Sequence, residues 1–253
     1  MALNTDGLVI KEQNIGEADR LVTVLTREEG LVRAFVRGAK QLKSRLASST
    51  GLLCYSRFSI YKGRDKYIID EAEPLEVFFD LRSDIEKLAL AQYFCELTLA
   101  LAPEGVEAGD FLRLLLNALY FLAKEKRPRR LIKAAFEMRI LSLAGYMPNL
   151  ICCEGCGEYE ADEMFFVPRS GLLYCAGCYK KADTPTGIVM GRGVTTALRH
   201  TIYAEFQKLF SFHLPEEGQK ALSFISEQYV LNRLERGFKT LDFYRQIALP
   251  GDK

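Results

Sequence analysis

Hydrophobic and polar positions alternate along the first 75 residues of the chain and then change to a helical spacing. Segments 7–13, 20–26, 31–37, 52–61 and 67–71 are rich in β-branched and aromatic residues, and Gly-, Asp- or Ser-rich turns separate them. The pattern therefore predicts five short strands. Five strands in so short a segment indicate a small barrel, and the pattern alone is compatible with an OB-like or an SH3-like barrel.

Helical spacing follows Pro74, which we interpret as the point where the class of structure changes. Ser83 to Glu86 form a capping-box pattern, and the helix that they begin is predicted to end before Pro103. This helix is apolar almost all round, which predicts a central position in a helical domain. Further helices are predicted at 110–124, 128–145, 194–210 and 218–236. The last two are expected to pack on the first three.

Four cysteines form two pairs, Cys153 with Cys156 and Cys175 with Cys178, and each pair is separated by two residues. Such turns aim both sulfurs the same way, so four thiolates can converge tetrahedrally on one soft divalent ion. Segments 164–167 and 172–174 between the pairs are typical of a hairpin. We predict a ribbon pinned by Zn²⁺. A closed four-thiolate site has no open coordination position, which indicates a structural role.

Three other roles of the cysteines agree less well with the sequence than zinc binding does. A disulfide framework is disfavoured because the chain has seven cysteines, no recognisable signal peptide and enough length to fold without staples. A thioredoxin-like redox pair requires a βαβ context, which the pattern lacks. An iron–sulfur cluster also uses four thiolates, but its usual spacings differ. Cys152 competes with Cys153 as a ligand, and the two-residue spacing favours Cys153.

These segments together predict an α+β fold. We expect a five-stranded barrel at residues 1–78, followed by a helical bundle at 79–253 with the zinc ribbon inserted at 150–182. The most apolar run, 88–102, carries Gln92 and Glu96 and is too short to span a bilayer. No membrane contact is predicted, and reduced thiols favour a cytoplasmic protein.

Charge is unevenly distributed although the net charge is only +1. Residues 33–66 include nine basic residues and only one acidic residue. This excess of positive charge indicates that one side of the barrel binds a polyanionic partner. Strand 31–37 places Arg33, Phe35 and Arg37 on one face, and strand 52–61 places Arg57 beside Tyr61. The loop between them adds Lys40, Lys43 and Arg45. Single-stranded nucleic acid requires rings for stacking and cations for phosphates. Amphipathic strands that turn Tyr and Arg to solvent remain the alternative.

Motifs for catalysis are absent from the sequence. His200 and His213 have no Ser or Cys nucleophile in a recognisable motif, so solvated or core positions are expected for both. Residues 191–193 begin like a dinucleotide loop, but Thr196 occupies the third glycine position and no strand is predicted before them. No P-loop occurs. We interpret the chain as a protein without enzymatic activity.

The order of these parts resembles the RecO family of bacterial DNA repair and recombination mediators. The resemblance covers essentially the whole chain and is most specific in segments 8–26, 30–38, 141–148 and 153–178. Some family members lack the cysteines, so the ribbon does not define the family's function. The additional Cys152 is a departure from the family pattern.

The resemblance implies an OB-fold that binds single- and double-stranded DNA without strong sequence preference, anneals complementary strands and assists recombinase loading. It implies RecR and the acidic, Phe-ending C-terminal tail of single-stranded DNA-binding protein as partners, and a cytoplasmic, nucleoid-associated location. Carried onto this sequence, the DNA face comprises Arg33, Phe35, Arg37, Lys40, Lys43, Arg45, Arg57, Tyr61, Lys62 and Arg64.

A second basic cluster lies around the junction of the second and third predicted helices. It comprises Lys124, Lys126, Arg127, Arg129, Arg130 and Lys133. A charge run of this kind is usually a solvated helix end. We hypothesise that Lys124, Arg127, Arg130 and Lys133 bind the acidic tail, because the cluster adjoins apolar helix surface.

Two functions from other classes remain open. The chain could be a zinc-stabilised protein-interaction scaffold whose basic barrel is only a solvated face. It could also be an enzyme acting on nucleic acid whose carboxylates meet only in the folded state. Salt-sensitive DNA binding distinguishes the first from our interpretation, and metal-dependent strand cleavage would support the second.

Overall fold

The computed structural model describes residues 2–41, 44–63, 66–182 and 186–248. Contacts divide the chain into two compact units, residues 1–124 and 125–253, which are described separately. The first unit contains β1 (Ala2–Ile15), β2 (Asp19–Thr26), β3 (Gly30–Val36), β4 (Cys54–Lys62), β5 (Tyr67–Val77), a 3-10 turn (Phe79–Leu81), α1 (Ile85–Leu101) and α2 (Gly109–Ala123). The second unit contains α3 (Arg129–Leu143), β6 (Glu163–Val167), β7 (Leu172–Cys175), α4 (Ala176–Tyr179), β8 (Ile188–Gly191), α5 (Arg192–Tyr203), a 3-10 turn (Phe206–Lys208), α6 (Glu216–Leu234) and α7 (Lys239–Ile247).

The five strands of the first unit form a closed barrel in the order β1-β2-β3-β5-β4. The long strand β1 pairs with both β2 and β4, and a short parallel contact joins β3 to β5. In β3 the alternation is regular: Val32, Ala34 and Val36 point into the barrel, whereas Arg33 is exposed. Period-two patterning of this kind buries one face of each strand. The predicted OB-like barrel and the α+β class are confirmed.

Two barrel strands are longer than predicted. β1 begins at Ala2, and β5 continues through Pro74 to Val77. Pro74 pairs with Ser56 next to a register shift, where the missing N–H of proline does not break a regular ladder. The expectation that Pro74 ends the strand region is therefore wrong.

Helices α1 and α2 cover part of the barrel's outer surface. They contact β1 and β2, and the outward-facing Leu8 and Leu25 are completely buried. The N-cap of α1 is Asp84, whose carboxylate accepts hydrogen bonds from the amides of Glu86 (2.9 Å) and Lys87 (3.0 Å). The Ser83 hydroxyl instead donates to the Asp80 carbonyl, so the capping residue lies one position later than the sequence pattern indicated.

In the second unit, α3 packs against both α5 and α6. Pro128 directly precedes α3, and Gly145, with a φ of +88°, follows its end as predicted. The helix predicted at 194–210 is wrong in its second half, because α5 ends at Tyr203 and a separate 3-10 turn follows. Helix α7 was not predicted, since its nine residues offer only two turns of periodicity.

The cysteine ribbon is a three-stranded sheet in the order β7-β6-β8. Strands β6 and β7 form the predicted hairpin, but β8 pairs with β6 from more than 20 positions away in sequence. Gly191 is the last residue of β8, so the expectation that no strand precedes residues 191–193 is wrong. Thr196 still occupies the place of the third glycine.

An ion network lies in the interior of the second unit. The ammonium of Lys133, which is 2% exposed, lies 2.9 Å from the Glu137 carboxylate and 2.8 Å from that of Glu227. Arg245 of α7 binds Glu227 at 2.6 Å, and the Ser226 hydroxyl donates to Glu137 at 2.6 Å. The network therefore joins α3, α6 and α7 through ion pairs. Lys133 and Glu137 have exchanged water for each other, whereas Arg245 is still 40% exposed.

No helix in the described part of the chain is long and apolar enough to cross a membrane.

The turn between β2 and β3 is locked to the segment that joins α1 to α2. The amide of Leu31 donates to the Pro103 carbonyl at 2.8 Å, and the amide of Gly105 donates to the Glu29 carbonyl at 2.9 Å. Gly30 has a φ of +61°, and a Cβ atom there would lie 2.1 Å from the Pro103 carbonyl oxygen. Only glycine fits this close approach of two backbones.

We expect Gly30→Ala to destabilise the first unit more than Gly16→Ala. Both glycines have positive φ, but a Cβ at Gly16 meets no atom within 4 Å. Gly16→Ala therefore reports only backbone strain, about 1 kcal/mol. Gly30→Ala adds the collision with Pro103 and should cost at least about 2 kcal/mol more. Urea unfolding of the full chain measures both; equal losses would contradict the steric argument.

We expect Glu227→Gln to cost roughly 2 kcal/mol of unfolding free energy near neutral pH, because Lys133 and Arg245 lose a charged partner. Burial would by itself raise the pKa of the Glu227 carboxyl, but Lys133 and Arg245 hold it below its ordinary value. The ionised Glu227 carboxylate thus stabilises the fold at pH values above its unfolded-state pKa. This stabilisation is lost as the pH falls through its folded-state pKa.

The difference in unfolding free energy between wild type and Glu227→Gln should therefore become smaller at acidic pH. Urea unfolding at neutral pH and at about pH 3 tests this. Glu217→Gln is the control, because Glu217 is exposed and its partner in the described part of the chain is Lys220 on its own helix. A gap between wild type and Glu227→Gln that stays constant with pH would refute the linkage.

Candidate metal centre and nucleic-acid interface

The sulfurs of Cys153, Cys156, Cys175 and Cys178 all lie within 4.8 Å of one another. The first pair belongs to the loop that follows α3, Cys175 ends β7 and Cys178 lies in α4. The Cys156 and Cys175 sulfurs are 3.8 Å apart. Four sulfurs at ordinary zinc bond lengths occupy tetrahedron corners about 3.8 Å apart, so the donor set has the size of a metal site.

Short backbone hydrogen bonds shape the loop of the first pair. The amide of Cys153 donates to the Glu158 carbonyl at 2.8 Å, and the amide of Gly157 donates to the Cys153 carbonyl at 2.9 Å. A Cβ on Gly155 would lie 2.9 Å from the Cβ and sulfur of Cys178. Glycine at this position therefore lets the two cysteine turns approach each other.

Hydrogen bonding shifts the pKa values of two thiols of the cluster in opposite directions. Burial would by itself raise the pKa of the Cys153 thiol, but hydrogen bonds from the amides of Cys175, Cys156 and Gly155 lower that pKa to about 7. Hydrogen bonding to the other three sulfurs raises the pKa of Cys178 to about 12. The cluster thus retains protons at neutral pH that a metal ion would displace. Cys152 is half-buried and lies outside the group, in agreement with the spacing argument.

The described members of the predicted DNA face lie on β3, on β4 and in the loop between them. Six of the basic side chains and Tyr61 are exposed, and Phe35 is half-buried. The exposed basic residues are Arg33, Arg37, Lys40, Arg45, Arg57 and Lys62. Lys43 and Arg64 lie outside the described residues.

Aromatic rings and cations meet where β5 joins β3 and β4. The ammonium of Lys66 lies 5.2 Å from the centre of the Phe35 ring, and that of Lys62 lies 5.4 Å from the centre of the Tyr67 ring. The strand register aligns Phe35, Ile68 and Tyr61 across β3, β5 and β4. The sequence prediction did not include Lys66 and Tyr67, because only the non-local β3–β5 pairing brings them beside Phe35.

Arg57 differs from the other cations of this face. Its guanidinium lies 3.3 Å from Asp6 on β1 and 3.8 Å from Glu73 on β5. Glu71 and Glu73 line the shallow cavity beside it, whose volume is about 300 Å³. Its charge is therefore largely compensated by carboxylates.

The predicted tail-binding residues have different partners within their own units. Lys124 belongs to the first unit and pairs with Asp80 at 2.6 Å, and mutual attraction raises the pKa of Lys124 and lowers that of Asp80. In the second unit, Arg127 donates to the Phe210 carbonyl at 2.6 Å. Arg130 and Lys133 line a common cavity, and both are almost completely buried.

This cavity has a volume of about 360 Å³ and lies between α3, α6 and α7. Apolar, cationic and acidic side chains share its lining, including Arg130, Lys133, Lys220, Phe224, Glu227, Tyr244 and Arg245. Phe224 is 52% exposed, so its ring is accessible from solvent. The sequence identified the two α3 residues, whereas the contribution of α6 and α7 depends on tertiary packing.

His200 has a packing role. Its Nε2 atom lies 2.9 Å from the Lys208 carbonyl, and its ring lies 5.0 Å from that of Phe212. His213 is exposed.

The structure combines a five-stranded barrel that exposes cationic and aromatic side chains with a helical unit that carries a four-cysteine ribbon. Two family profiles match the chain: "Recombination protein O N terminal" at residues 1–78 and "Recombination protein O C terminal" at 82–242. The chain therefore belongs to the RecO family, a family of recombination mediators that is generally non-catalytic.

Curated relatives match along nearly their whole length. A DNA repair protein RecO from Acetivibrio thermocellus is 35% identical over 245 residues, which cover 97% of each chain. Its counterpart from Symbiobacterium thermophilum is 32% identical over 96% of this chain and 97% of the relative. That from Alkaliphilus metalliredigens is 30% identical over 98% of this chain and 100% of the relative.

We expect Cys153→Ser to abolish tight binding of one metal ion per chain and Cys152→Ser to leave it unchanged. The two cysteines are adjacent, but only Cys153 belongs to the sulfur cluster. Metal analysis of reduced, freshly purified protein after dialysis measures the stoichiometry. Loss of metal in Cys152→Ser with retention in Cys153→Ser would reverse the ligand assignment.

Proposed function

We propose that this protein binds single- and double-stranded DNA through the barrel, anneals complementary strands and assists recombinase loading, without catalysing a chemical step. The observation that carries the proposal is the row of aromatic and cationic side chains across β3, β5 and β4. Membership of the RecO family supports the DNA partner. It also supports our proposal that residues 1–78 are the DNA-binding module, because the N-terminal profile ends at residue 78.

Stacking and charge would act together on this face. Phe35 and Tyr61 offer ring surface to unpaired bases, and Lys66 and Lys62 lie beside aromatic rings at the same edge of the barrel. Base–ring stacking tolerates any sequence, and lysine or arginine contacts to phosphate carry no sequence information. The expected binding is therefore strong at low salt and weakly selective.

The proposed contact set keeps most of the residues expected from the sequence. It comprises Arg33, Phe35, Arg37, Lys40, Lys43, Arg45, Tyr61, Lys62 and Arg64, to which we add Lys66 and Tyr67. We propose a minor role for Arg57, because Asp6 and Glu73 already compensate its charge. A phosphate would have to displace these carboxylates.

Annealing follows from the same electrostatics. A cationic surface that holds two strands reduces their mutual repulsion and raises their local concentration. Pairing then proceeds downhill, so no nucleotide hydrolysis is required. This account is consistent with a cytoplasmic protein that associates with the nucleoid.

We further propose that the four cysteines bind Zn²⁺ with a structural role. The closed all-thiolate set leaves no position for substrate, and its two-residue spacings are those of zinc ribbons. A small three-stranded sheet of this kind would derive much of its stability from the ion.

Two protein partners are proposed on the basis of family membership: RecR and the tail of single-stranded DNA-binding protein. For the tail we propose the cavity between α3, α6 and α7. Its exposed Phe224 ring suits a terminal phenylalanine. Lys220 and Arg245 in its lining already pair with Glu217 and Glu227, so the acidic groups of the tail would have to compete with these carboxylates. Of the four residues expected from the sequence, Arg130 and Lys133 line this cavity. Because both are almost completely buried, we propose that they support the cavity wall and that the exposed residues of α6 and α7 contact the tail.

We expect the double variant Arg33→Ala with Arg37→Ala to weaken DNA binding at least about tenfold and to reduce the salt slope. Each lost phosphate contact should lower the slope of log affinity against log salt by about 0.9 for duplex and 0.7 for single strands. Fluorescence anisotropy of labelled oligonucleotides at several salt concentrations measures both. Arg57→Ala is the control and should change the slope little.

Absence of binding to wild type even at low salt would overturn the DNA proposal and favour a protein-interaction scaffold. A larger effect of Arg57→Ala than of the double variant would move the contact surface to the β4–β5 side of the barrel.

We expect Phe224→Ala to weaken binding of an acidic peptide that ends in phenylalanine by roughly tenfold, the usual effect of removing an aromatic anchor. Phe243→Ala is the matched control, because Phe243 is comparably exposed but does not line the cavity. Titration calorimetry with the peptide, and with a version ending in alanine, gives the affinities. Equal affinities in both variants would place the tail elsewhere.

A further inference from the structure

Arg199 of α5 lies against the loop that carries the first cysteine pair. It is only 8% exposed. Its Nε donates to the Leu150 carbonyl at 2.7 Å, and its Nη2 donates to the carbonyls of Ile151 at 3.2 Å and Tyr159 at 2.5 Å. The guanidinium carbon also lies 4.1 Å from the centre of the Tyr159 ring. One side chain thus binds three carbonyls and one ring of the same loop.

These carbonyls bracket the two metal-ligating thiols. Leu150 and Ile151 precede Cys153, and Tyr159 follows Cys156. The segment between them has no regular secondary structure of its own. Arg199 therefore closes the loop at its base by joining its two ends, while the cysteines lie between those ends.

This contact depends on the chemistry of arginine. A guanidinium presents five N–H donors in a rigid planar fork and stacks on aromatic rings. Lysine keeps the charge but has a compact ammonium on a flexible stem, so it cannot bind the same three carbonyls in one plane. Leu150 is almost completely buried, so its carbonyl requires a donor, which adds to the cost of replacing Arg199.

We propose that Arg199 is a positioning residue for the metal centre, which presets the loop so that Cys153 and Cys156 face Cys175 and Cys178 before an ion binds. The inference rests on the proposed metal site. Outer residues that orient metal ligands typically change metal affinity by about 10- to 100-fold when they are replaced. Replacing Arg199 is therefore expected to weaken metal binding by more than a general loss of folding stability would.

Arg139 is a matched control for this role. It is also 8% exposed, its guanidinium lies 5.3 Å from the centre of the Phe206 ring, and it donates to the carbonyls of Thr201 (3.0 Å) and Ala204 (2.6 Å). It therefore resembles Arg199 in burial, stacking and carbonyl binding. The two carbonyls that it binds belong to the end of α5 and not to the cysteine loop.

The experiment is a Co²⁺ titration of the reduced full chain, followed by thiolate–cobalt absorption, with Zn²⁺ affinity measured by chelator competition. We expect Arg199→Lys to weaken Co²⁺ binding at least about tenfold. Arg139→Lys should change the Co²⁺ affinity less than about twofold. It should lower the melting temperature of the metal-free chain by about as much as Arg199→Lys does.

A second pair of variants avoids loss of folding. Tyr159 and Tyr203 are both substantially exposed, so Tyr159→Leu and Tyr203→Leu should fold. We expect only Tyr159→Leu, which removes the ring beneath Arg199, to weaken Co²⁺ binding, by about threefold.

The outcomes separate this inference from the metal site itself. No Co²⁺ or Zn²⁺ binding to wild type would overturn the metal site and the inference with it. Tight wild-type binding with unchanged affinity in Arg199→Lys and Tyr159→Leu would overturn the role of Arg199 and leave the metal site intact. Equal losses in Arg199→Lys and Arg139→Lys would also overturn it, because general stability would then explain the effect.

Discussion

The short parallel contact between β3 and β5 is the constraint on which the candidate DNA face depends. Among the described residues two pairs form it, Ala34 with Tyr67 and Phe35 with Ile68. It closes the barrel, and it brings the start of β5 beside the middle of β3. Without it, Phe35 and Lys66 would belong to strands that do not adjoin. Closing the barrel therefore forms both the hydrophobic core and the aromatic outer surface, because alternate side chains of β3 point into the barrel and out of it.

The second unit uses buried cations as internal ties. Lys133 binds two carboxylates, Arg139 binds the end of α5, and Arg199 binds the cysteine loop. Each satisfies polar groups that packing has removed from water, which is the condition for burying charge. A basic residue in the sequence of this unit can therefore indicate an internal contact as well as a binding surface. The basic cluster at the start of α3 illustrates this, because Arg130 and Lys133 are both buried.

Features with a local cause could be read from the sequence. The valines of β3, the glycine that follows α3 and the paired cysteines each obey a rule that acts over a few residues. Features with a non-local cause could not. Strand β8 depends on pairing with β6, the continuation of β5 through Pro74 depends on register shifts against β4, and the partners of Arg57 come from two other strands.

The sequence by itself determined the five-stranded barrel, the main helices and the identity of the four thiols, because alternation, capping residues and cysteine spacing are local signals. Tertiary structure decided which cations remain exposed and which become buried. Arg33 and Arg199 look alike in the sequence, yet one faces solvent and the other is enclosed. The reason is physical: the free energy of a charged side chain depends on which neighbours replace its water, and distant parts of the chain supply those neighbours.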